Sequence, residues 1–425
     1  MNYKKNINFI SWAKILFPIN RSLTGKGNIE TLKLIEKFSN KKFKIKYFKT
    51  NEKCFDWKIP KEWKIRQAYI KDENNNEICN FKKNNLHVVG YSGATNIKAT
   101  LIDVKNNIFY DKKKPNVVPY ITSYYKKFWG FCISYNKFKK LSLKKKYHFF
   151  IDSKLFNGKM HYSELLIKGK SNKEILICSY ICHPSMANNE LSGPLVLTAL
   201  AKYLKPGKYS IRLILIPETI GAIAYINKNL NRLKKNLIAG FNLTCCGDKS
   251  KLSYIKSKDE NTYADKIVKR LFPKINSFNF IERGSNERQF GCQNLNFPFI
   301  TICRSKFGKY KEYHTSADNL DIIKNKNLND TFEKMIRIIN EIQDSIIYKK
   351  KSFCEPFLTK YNLINTLSKR ENKHNKISKY FSDILAYSDQ NTDEKELSKL
   401  LKLKISKIKR LNKILEKKKL IKEFI

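Results

Sequence analysis

Apolar and polar positions alternate in three textures along the chain. Over residues 1–45 the apolar residues recur three and four apart, as in "NIETLKLIEKF", a spacing that predicts amphipathic helix. From 46 to 155 the runs are short, alternating and aromatic, "FKIKYFKT", "IRQAYIKD" and "ATLIDVKNNIFY", broken by Asn and Pro clusters, which predicts a β-rich module. From 156 to 348 strand-like and helix-like runs alternate: "EILICSYI", "PLVLTALAKYL", "SIRLILI", "IGAIAYINKNL", "NLIAGFNLTCC", "FPFITICR" and the long "LNDTFEKMIRIINEIQDSI". The strand-like runs are nearly all apolar, as expected of a sheet covered by helices on both faces. After a lysine-rich joint, three short amphipathic helices are expected within 354–425, and no internal repeat is present.

These textures predict an α/β fold built on a mostly parallel sheet, with 1–45 and 156–348 as one discontinuous domain, 46–155 as an inserted β-rich domain and 354–425 as a separate C-terminal unit. The first helix needs the later α/β layers to bury its apolar stripe. A chain of 425 residues, 42% hydrophobic, is long enough for one large core and one or two smaller ones.

Composition changes this picture little. The formal net charge of +48 would suit a polyanion if it were gathered on one face. The lysines are instead spread evenly among Asn and Ile, so the bias reads as compositional drift, and nucleic acid is disfavoured as a partner. The basic segment "KISKIKRLNKILEKKK" keeps a DNA-binding reading of the tail open as a minor alternative. The ten cysteines form no CxxC pair and follow no secretory segment, so a reducing cytoplasm is the expected compartment. No run approaches the roughly 18 uncharged apolar residues of a membrane span. Oligomeric state is not legible.

The candidate chemistry sits where strand-like runs end, the edge at which open α/β sheets bind ligands. "EILICSYI" runs into Cys182-His183-Pro184, "SIRLILI" into Pro217-Glu218-Thr219 and "GFNLTCC" into Gly247-Asp248; "PFITICR" precedes "EYHTSADN", centred on His314. A single His after a strand is usually a cap or a core residue. Four polar clusters converging on one edge point instead to a cleft, and imidazole and carboxylate are the usual zinc ligands.

Several long blocks, "PINRSLTGKGNIETL", "CFDWKIPKEWKIRQAYI", "LHVVGYS", "VVPYITSYYKKFWGFC", "CHPSMANNELSG", "PETIGAIAYI", "RGSNERQF" and "KEYHTSADNLD", resemble in their order the signature blocks of aminopeptidase-like proteins with a DUF4910 peptidase domain and an inserted DUF2172 domain. That family has an M28-type zinc aminopeptidase fold and is often encoded beside polysaccharide-biosynthesis genes. Its C-terminal module is a winged helix, which 354–425 resembles more weakly. The resemblance implies a zinc-dependent amide-bond hydrolase acting on a peptide-like or amino-sugar amide. It places His183 and His314 as metal ligands and Glu218 as general base. The sequence departs from the pattern at the bridging Asp, where Asn189 stands followed by Glu190, at Thr219 in place of a second Glu, and at Thr244 in place of a later Asp. His183, His314 and Glu190, with Asn189 as a further candidate, are therefore expected to hold one zinc ion rather than two. Asn286, Glu287, Arg288 and Arg304 are candidates for holding substrate, or else solvated loop charges. The alternative reading is an aminopeptidase-like protein whose metal site has decayed and which serves as a binding or scaffold module.

Overall fold

The structure is a computed structural model that describes residues 6–292, 294–364 and 373–424. Its centre is an eight-stranded mixed sheet. In spatial order the strands are Lys44–Lys49, Lys159–Ile167, Tyr209–Ile216, Ser171–Tyr180, Leu237–Leu243, Phe299–Cys303, Ser253–Ile255 and Asn276–Phe278. The four middle strands, from Tyr209–Ile216 to Phe299–Cys303, run parallel, while antiparallel pairings flank them on both sides. The middle strands are buried along almost their whole length, which is why their sequences are continuous apolar runs rather than alternating ones.

One face of the sheet is covered by helices Phe9–Leu16, Lys26–Ser39, Ser192–Tyr203, Tyr263–Leu271 and Asn325–Gln343, in one apolar core. The N-terminal segment is tied to the last of these: Ile7 N and Phe9 N donate to the side chains of Asn329 and Asn325 at 2.9 and 2.8 Å. Helix Ser192–Tyr203 is buried on all sides from Ser192 to Ala201, so it carries no polar stripe. It starts hard against the sheet, since a Cβ on Gly193 would overlap Leu243 O and Ser179 Oγ. Pro194 fits its first turn, where no amide hydrogen is needed.

The opposite face packs on helix Ile220–Asn236 and on the β-rich segment. There, strands Glu77–Asn80, Glu62–Lys71, Lys146–Phe156 and Thr95–Thr100 form a four-stranded antiparallel sheet in that order. Its apolar side, with Trp63, Ala68, Ile70, Phe149 and Ile151, is continuous with Leu176, Cys178 and Ile214 of the main sheet. The smaller sheet thus shares a core with the larger one. Strand Lys44–Lys49 pairs along the edge strand Lys159–Ile167, so the main sheet takes in the first residues of the β-rich stretch.

At the C-terminus, helices Lys373–Ala386, Glu394–Leu400 and Ile405–Lys417 pack around a small sheet ordered Asp389–Asp393, Ile347–Lys350, Ile421–Glu423. The middle strand precedes the lysine-rich joint. Buried Asp393 accepts two hydrogen bonds from Arg270, at 2.9 and 2.6 Å, and one from Tyr263 at 2.9 Å, fastening this unit to the α/β body.

Candidate active site

The parallel strands deliver their polar clusters to one place. Strand Ser171–Tyr180 leads to Cys182 and His183, and the chain then makes one turn of π-helix, Ala187–Leu191, before helix Ser192–Tyr203. Such turns recur at functional sites because the extra residue re-aims side chains. Here the turn is held by Asp318, whose carboxylate accepts from the backbone N–H groups of Asn188 and Asn189 at 2.7 and 3.0 Å and from Tyr310 at 2.8 Å. Burial nevertheless pushes the Asp318 pKa up to about 6.

His183 lies between two carboxylates. Its Nδ1 is 2.9 Å from Glu190 Oε2, and its Nε2 is 3.8 Å from Glu218 Oε2. Glu190 is fully buried, and its other oxygen is 3.3 Å from Nε of Arg21, which is fully buried too. Arg21 also donates to the carbonyls of His183 and Leu16, at 3.2 and 2.7 Å. Burial works to lower the His183 pKa, while the Glu190 carboxylate on Nδ1 works to raise it.

Glu218 follows strand Tyr209–Ile216. Its Oε1 accepts from Ser285 Oγ at 2.5 Å, and its backbone N–H donates to Cys182 Sγ at 3.2 Å. Burial raises the carboxyl pKa against the opposing pull of His183. The next residue, Thr219, has φ of +60°, a costly conformation for a β-branched side chain and one that clusters at active sites. The strain is held by Asn286, whose Oδ1 accepts from Thr219 N at 3.0 Å.

His314 also has positive φ, +55°, and lies in the loop after strand Phe299–Cys303. The β-rich segment grips that loop: Tyr120 N donates to His314 O at 2.8 Å, Ser316 N donates to Val118 O at 2.9 Å, and Pro119 and Thr315 form a bridge between them. The His314 ring stacks on Tyr313 with centroids 3.9 Å apart. Its Nε2 is buried without a hydrogen-bond partner, and burial, with help from His183, pushes its pKa down to about 3, so the ring is neutral.

The two imidazole centroids are 5.4 Å apart, and the Tyr120 ring stands 5.3 and 5.1 Å from them. Two imidazoles sharing one tetrahedral zinc, each nitrogen about 2.0 to 2.1 Å from it, have centroids about 5 Å apart. Asn189 Oδ1 is a second buried acceptor without a partner; its Nδ2 donates at 2.8 Å to the hydroxyl of Tyr180, whose ring centroid is 5.3 Å from that of His183. His314 Nε2 is therefore a buried acceptor without a partner, and with His183 Nε2, once that imidazole has given up its proton, it forms a pair that fits a cation. A different trio, Cys182, His183 and Glu190, offers ligand atoms within 4.8 Å of one another. In that trio Arg21 already neutralises Glu190, and burial keeps Cys182 a thiol by pushing its pKa up to about 11.

A profile described as a domain of unknown function, DUF4910, matches residues 10–345. The chain belongs to the DUF4910 family. It is 38% identical over 352 residues to a Clostridium acetobutylicum protein described provisionally as a polysaccharide biosynthesis protein with an aminopeptidase-like domain, covering 81% of this chain and 80% of the relative. A crystal structure from the same organism, described provisionally as a peptidase, matches with a TM-score of 0.78 and 34% identity over 98% of this chain and 96% of that one. The Bacillus subtilis zinc aminopeptidase BSAP matches with a TM-score of 0.58 and 15% identity, over 80% and 95%, and so shares the fold. The expected aminopeptidase-like α/β fold is the fold observed.

The residues expected to hold substrate are placed differently from one another. Arg288 is exposed, and its Nη2 donates to Thr219 Oγ1 at 3.1 Å, on the rim beside Glu218. Asn286 is buried and holds the backbone of Thr219. Glu287 is buried and accepts from Gly284 N, Ser285 N and Thr301 Oγ1. Arg304 is turned away: it donates to Ser250 O at 2.6 Å and Asp330 at 2.7 Å, in the wall of a separate hollow of about 600 Å3. Its backbone follows a strand of the right sheet edge, but two nearer acceptors capture its guanidinium.

Sequence reading missed Arg21, Ser285 and Asp318. Arg21 left the clearest signal, an arginine within an otherwise lysine-rich N-terminal stretch, because a buried pairing with a carboxylate favours the planar, weakly hydrated guanidinium.

Proposed function

We propose that this protein is a metal-assisted amide hydrolase. The observation that carries the reading is the meeting of His183, His314 and Glu218 from three different strand ends, with His314 Nε2 buried, neutral and unpartnered. His183 and His314 would hold a single zinc ion, with Asn189 Oδ1 as a neutral third donor. When bound, the ion would polarise the amide carbonyl and lower the pKa of water.

The chain's own residues do the rest. Glu190, expected from the sequence as a ligand, acts in this reading through His183: it fixes the Nδ1–H tautomer and so leaves Nε2 as the coordinating atom. Arg21 holds Glu190 in place. Glu218, with its carboxyl raised toward the working range of a base, takes a proton from the attacking water. The water oxygen bonds to the carbonyl carbon, the carbon–nitrogen bond breaks, and Glu218 returns the proton to the departing nitrogen, leaving a carboxylic acid and an amine. Ser285 keeps one oxygen of Glu218 oriented during both transfers.

The names of the relatives support a peptide-like or amino-sugar amide met in surface-polysaccharide assembly as the substrate. Among the described residues no helix is long and apolar enough to cross a membrane, and all ten cysteines are free, in keeping with a cytoplasmic place of action. We propose that the tail is a winged-helix-like unit, its three helices packing around a small three-stranded sheet. Asn189 and the neutralised Glu190 favour a second reading, a binding module descended from an enzyme. Elemental analysis of the purified full-length protein, paired with hydrolysis of a panel of amides, separates the two. Stoichiometric zinc with turnover is expected; a protein that takes up no zinc and cleaves nothing overturns the enzyme reading.

A further inference from the structure

The carboxylates around the cleft are already committed. Glu190 is taken by Arg21 and His183. Asp318 accepts two backbone N–H groups and the Tyr310 hydroxyl, and Glu287 accepts two backbone N–H groups and Thr301. Asp248 accepts from Asn188 Nδ2, Ser250 N and Ser305 N, at 2.7, 2.7 and 3.2 Å. Glu218 itself faces His183 and Ser285. At the rim the exposed charge next to it is the cation Arg288.

A substrate's free ammonium entering this cleft would lose its water and find no anion to pair with except Glu218, which the reaction needs as its base, while meeting positive charge at the mouth and an imidazole pair within. A buried charge without a partner is strongly disfavoured. The remaining wall is aromatic and half-buried. Tyr120 and Tyr124 come from the β-rich segment, and Tyr313 turns one face to His314. Both Tyr120 and Tyr124 lie close enough to Cys182 to interact with it, which places them over the His183 end of the cleft. That surface suits a methyl or methylene group.

We infer that the substrate is an amide whose acyl side carries no free ammonium, such as an N-acetylated or otherwise N-acylated amine, and that Arg21, by neutralising Glu190, and Tyr120 with Tyr124 set this preference. The inference rests on the proposed amide-binding role of the site and names the acyl group it accepts. It distinguishes the protein from an enzyme that anchors a free N-terminus.

The test uses two probes with the same leaving group, 4-nitroacetanilide and glycine 4-nitroanilide, which differ by one ammonium. Binding to the purified full-length protein is measured by calorimetry, and hydrolysis is followed separately as released 4-nitroaniline. The acetyl probe is expected to bind at least about tenfold more tightly, a discrimination typical of a site that leaves one polar group unpaired. Arg288→Glu, on the exposed rim, should narrow the gap by restoring an anion there. Tyr120→Ala should weaken the acetyl probe more than the glycyl one. Equal or tighter binding of the glycyl probe, or binding of neither, overturns the inference. If the acetyl probe binds more tightly yet is never cleaved, with or without added zinc, the hydrolase reading falls and the acyl preference stands. If both are cleaved and the glycyl probe faster, the hydrolase reading stands and the preference falls.

Discussion

Glu190 and Glu218 flank the same imidazole and live in opposite surroundings. Glu190 is sealed in, fully buried, with Arg21 on one oxygen and His183 Nδ1 on the other. Glu218 keeps about a fifth of its side chain exposed, stands 3.8 Å from His183 Nε2, and accepts one short hydrogen bond from Ser285. A carboxylate locked to an arginine is fixed in place, whereas one held by a hydroxyl in a half-open cleft can reach a substrate. The pairing pattern therefore assigns architecture to the first and proton transfer to the second, although the two are a few ångströms apart across one ring.

The sharpest way to break this contrast is to remove the arginine. Arg21→Met leaves Glu190 buried with no permanent cation, and loss of one partner from a buried pair costs about 3 to 5 kcal/mol. Thermal or urea unfolding should show that loss, and adding Glu190→Gln to the same chain should recover a substantial part of it. If Arg21→Met unfolds like the parent, the architectural role of the pair is wrong. Glu218→Gln should have the reverse profile. Stability should hold, zinc should stay, and turnover of a cleaved amide should fall by about a hundredfold or more, the scale of a lost general base. A Glu218→Gln protein that loses its zinc would make Glu218 a ligand instead.

How much of this contrast could be read from sequence follows from what kind of contact makes it. The continuous apolar strand runs and the polar clusters at their ends were legible, because a central parallel strand must be apolar throughout and its carboxyl end must open on the cleft. His183, Glu218 and His314 were named on that ground and on family resemblance, and the structure gathers them. The partner of Glu190 was not legible. Arg21 sits in a segment before the first long helix, and no local periodicity couples it to a turn on a distant strand. Tyr120 lies in an aromatic run of the β-rich stretch that no periodicity couples to a loop far along the chain, yet its backbone pairs with the His314 loop. Arg304 was misplaced for a related reason: sequence locates the Cα at the right edge but not the direction of a long side chain that can choose among acceptors.

His314 provides a comparison within the imidazole pair. His183 has a carboxylate on each side, whereas burial and its neighbour hold His314 neutral down to about pH 3. In the unfolded chain a histidine titrates near 6.5. The sign follows: as pH falls from 6.5 the unfolded state binds a proton at this position and the folded state does not, so stability drops on acidification until the folded pKa is reached. Between pH 7 and 5 the metal-free protein should lose about 2 kcal/mol from this residue, at 1.36 kcal/mol per pH unit below 6.5. Urea midpoints at the two pH values measure it, with His314→Gln expected to remove that share of the dependence. An unchanged dependence in the variant would mean that His314 is protonated in the folded protein.

The smallest effect concerns the third donor. Asn189 stands where the family resemblance implies an aspartate, its Oδ1 is buried without a partner, and the nearby Glu190 is already neutralised. Two neutral imidazoles and an amide oxygen leave most of a divalent charge uncompensated, so this site should bind zinc more weakly than one with an anionic ligand. Asn189→Asp supplies that charge at the same position and nearly the same size. The turn keeps its backbone bond from residue 189 to Asp318, while the Tyr180 hydroxyl, which donates to the carbonyl of Asn189, must turn its proton to the new carboxylate. Zinc affinity, measured by competition with a chromophoric chelator, should rise by about tenfold or more, equivalent to about 1.4 kcal/mol. The same variant should be less stable without metal, since the added charge is then buried next to Glu190 and Asp318. An affinity that stays flat while apo stability falls would show that position 189 faces away from the ion, and the third donor would have to come from Glu218.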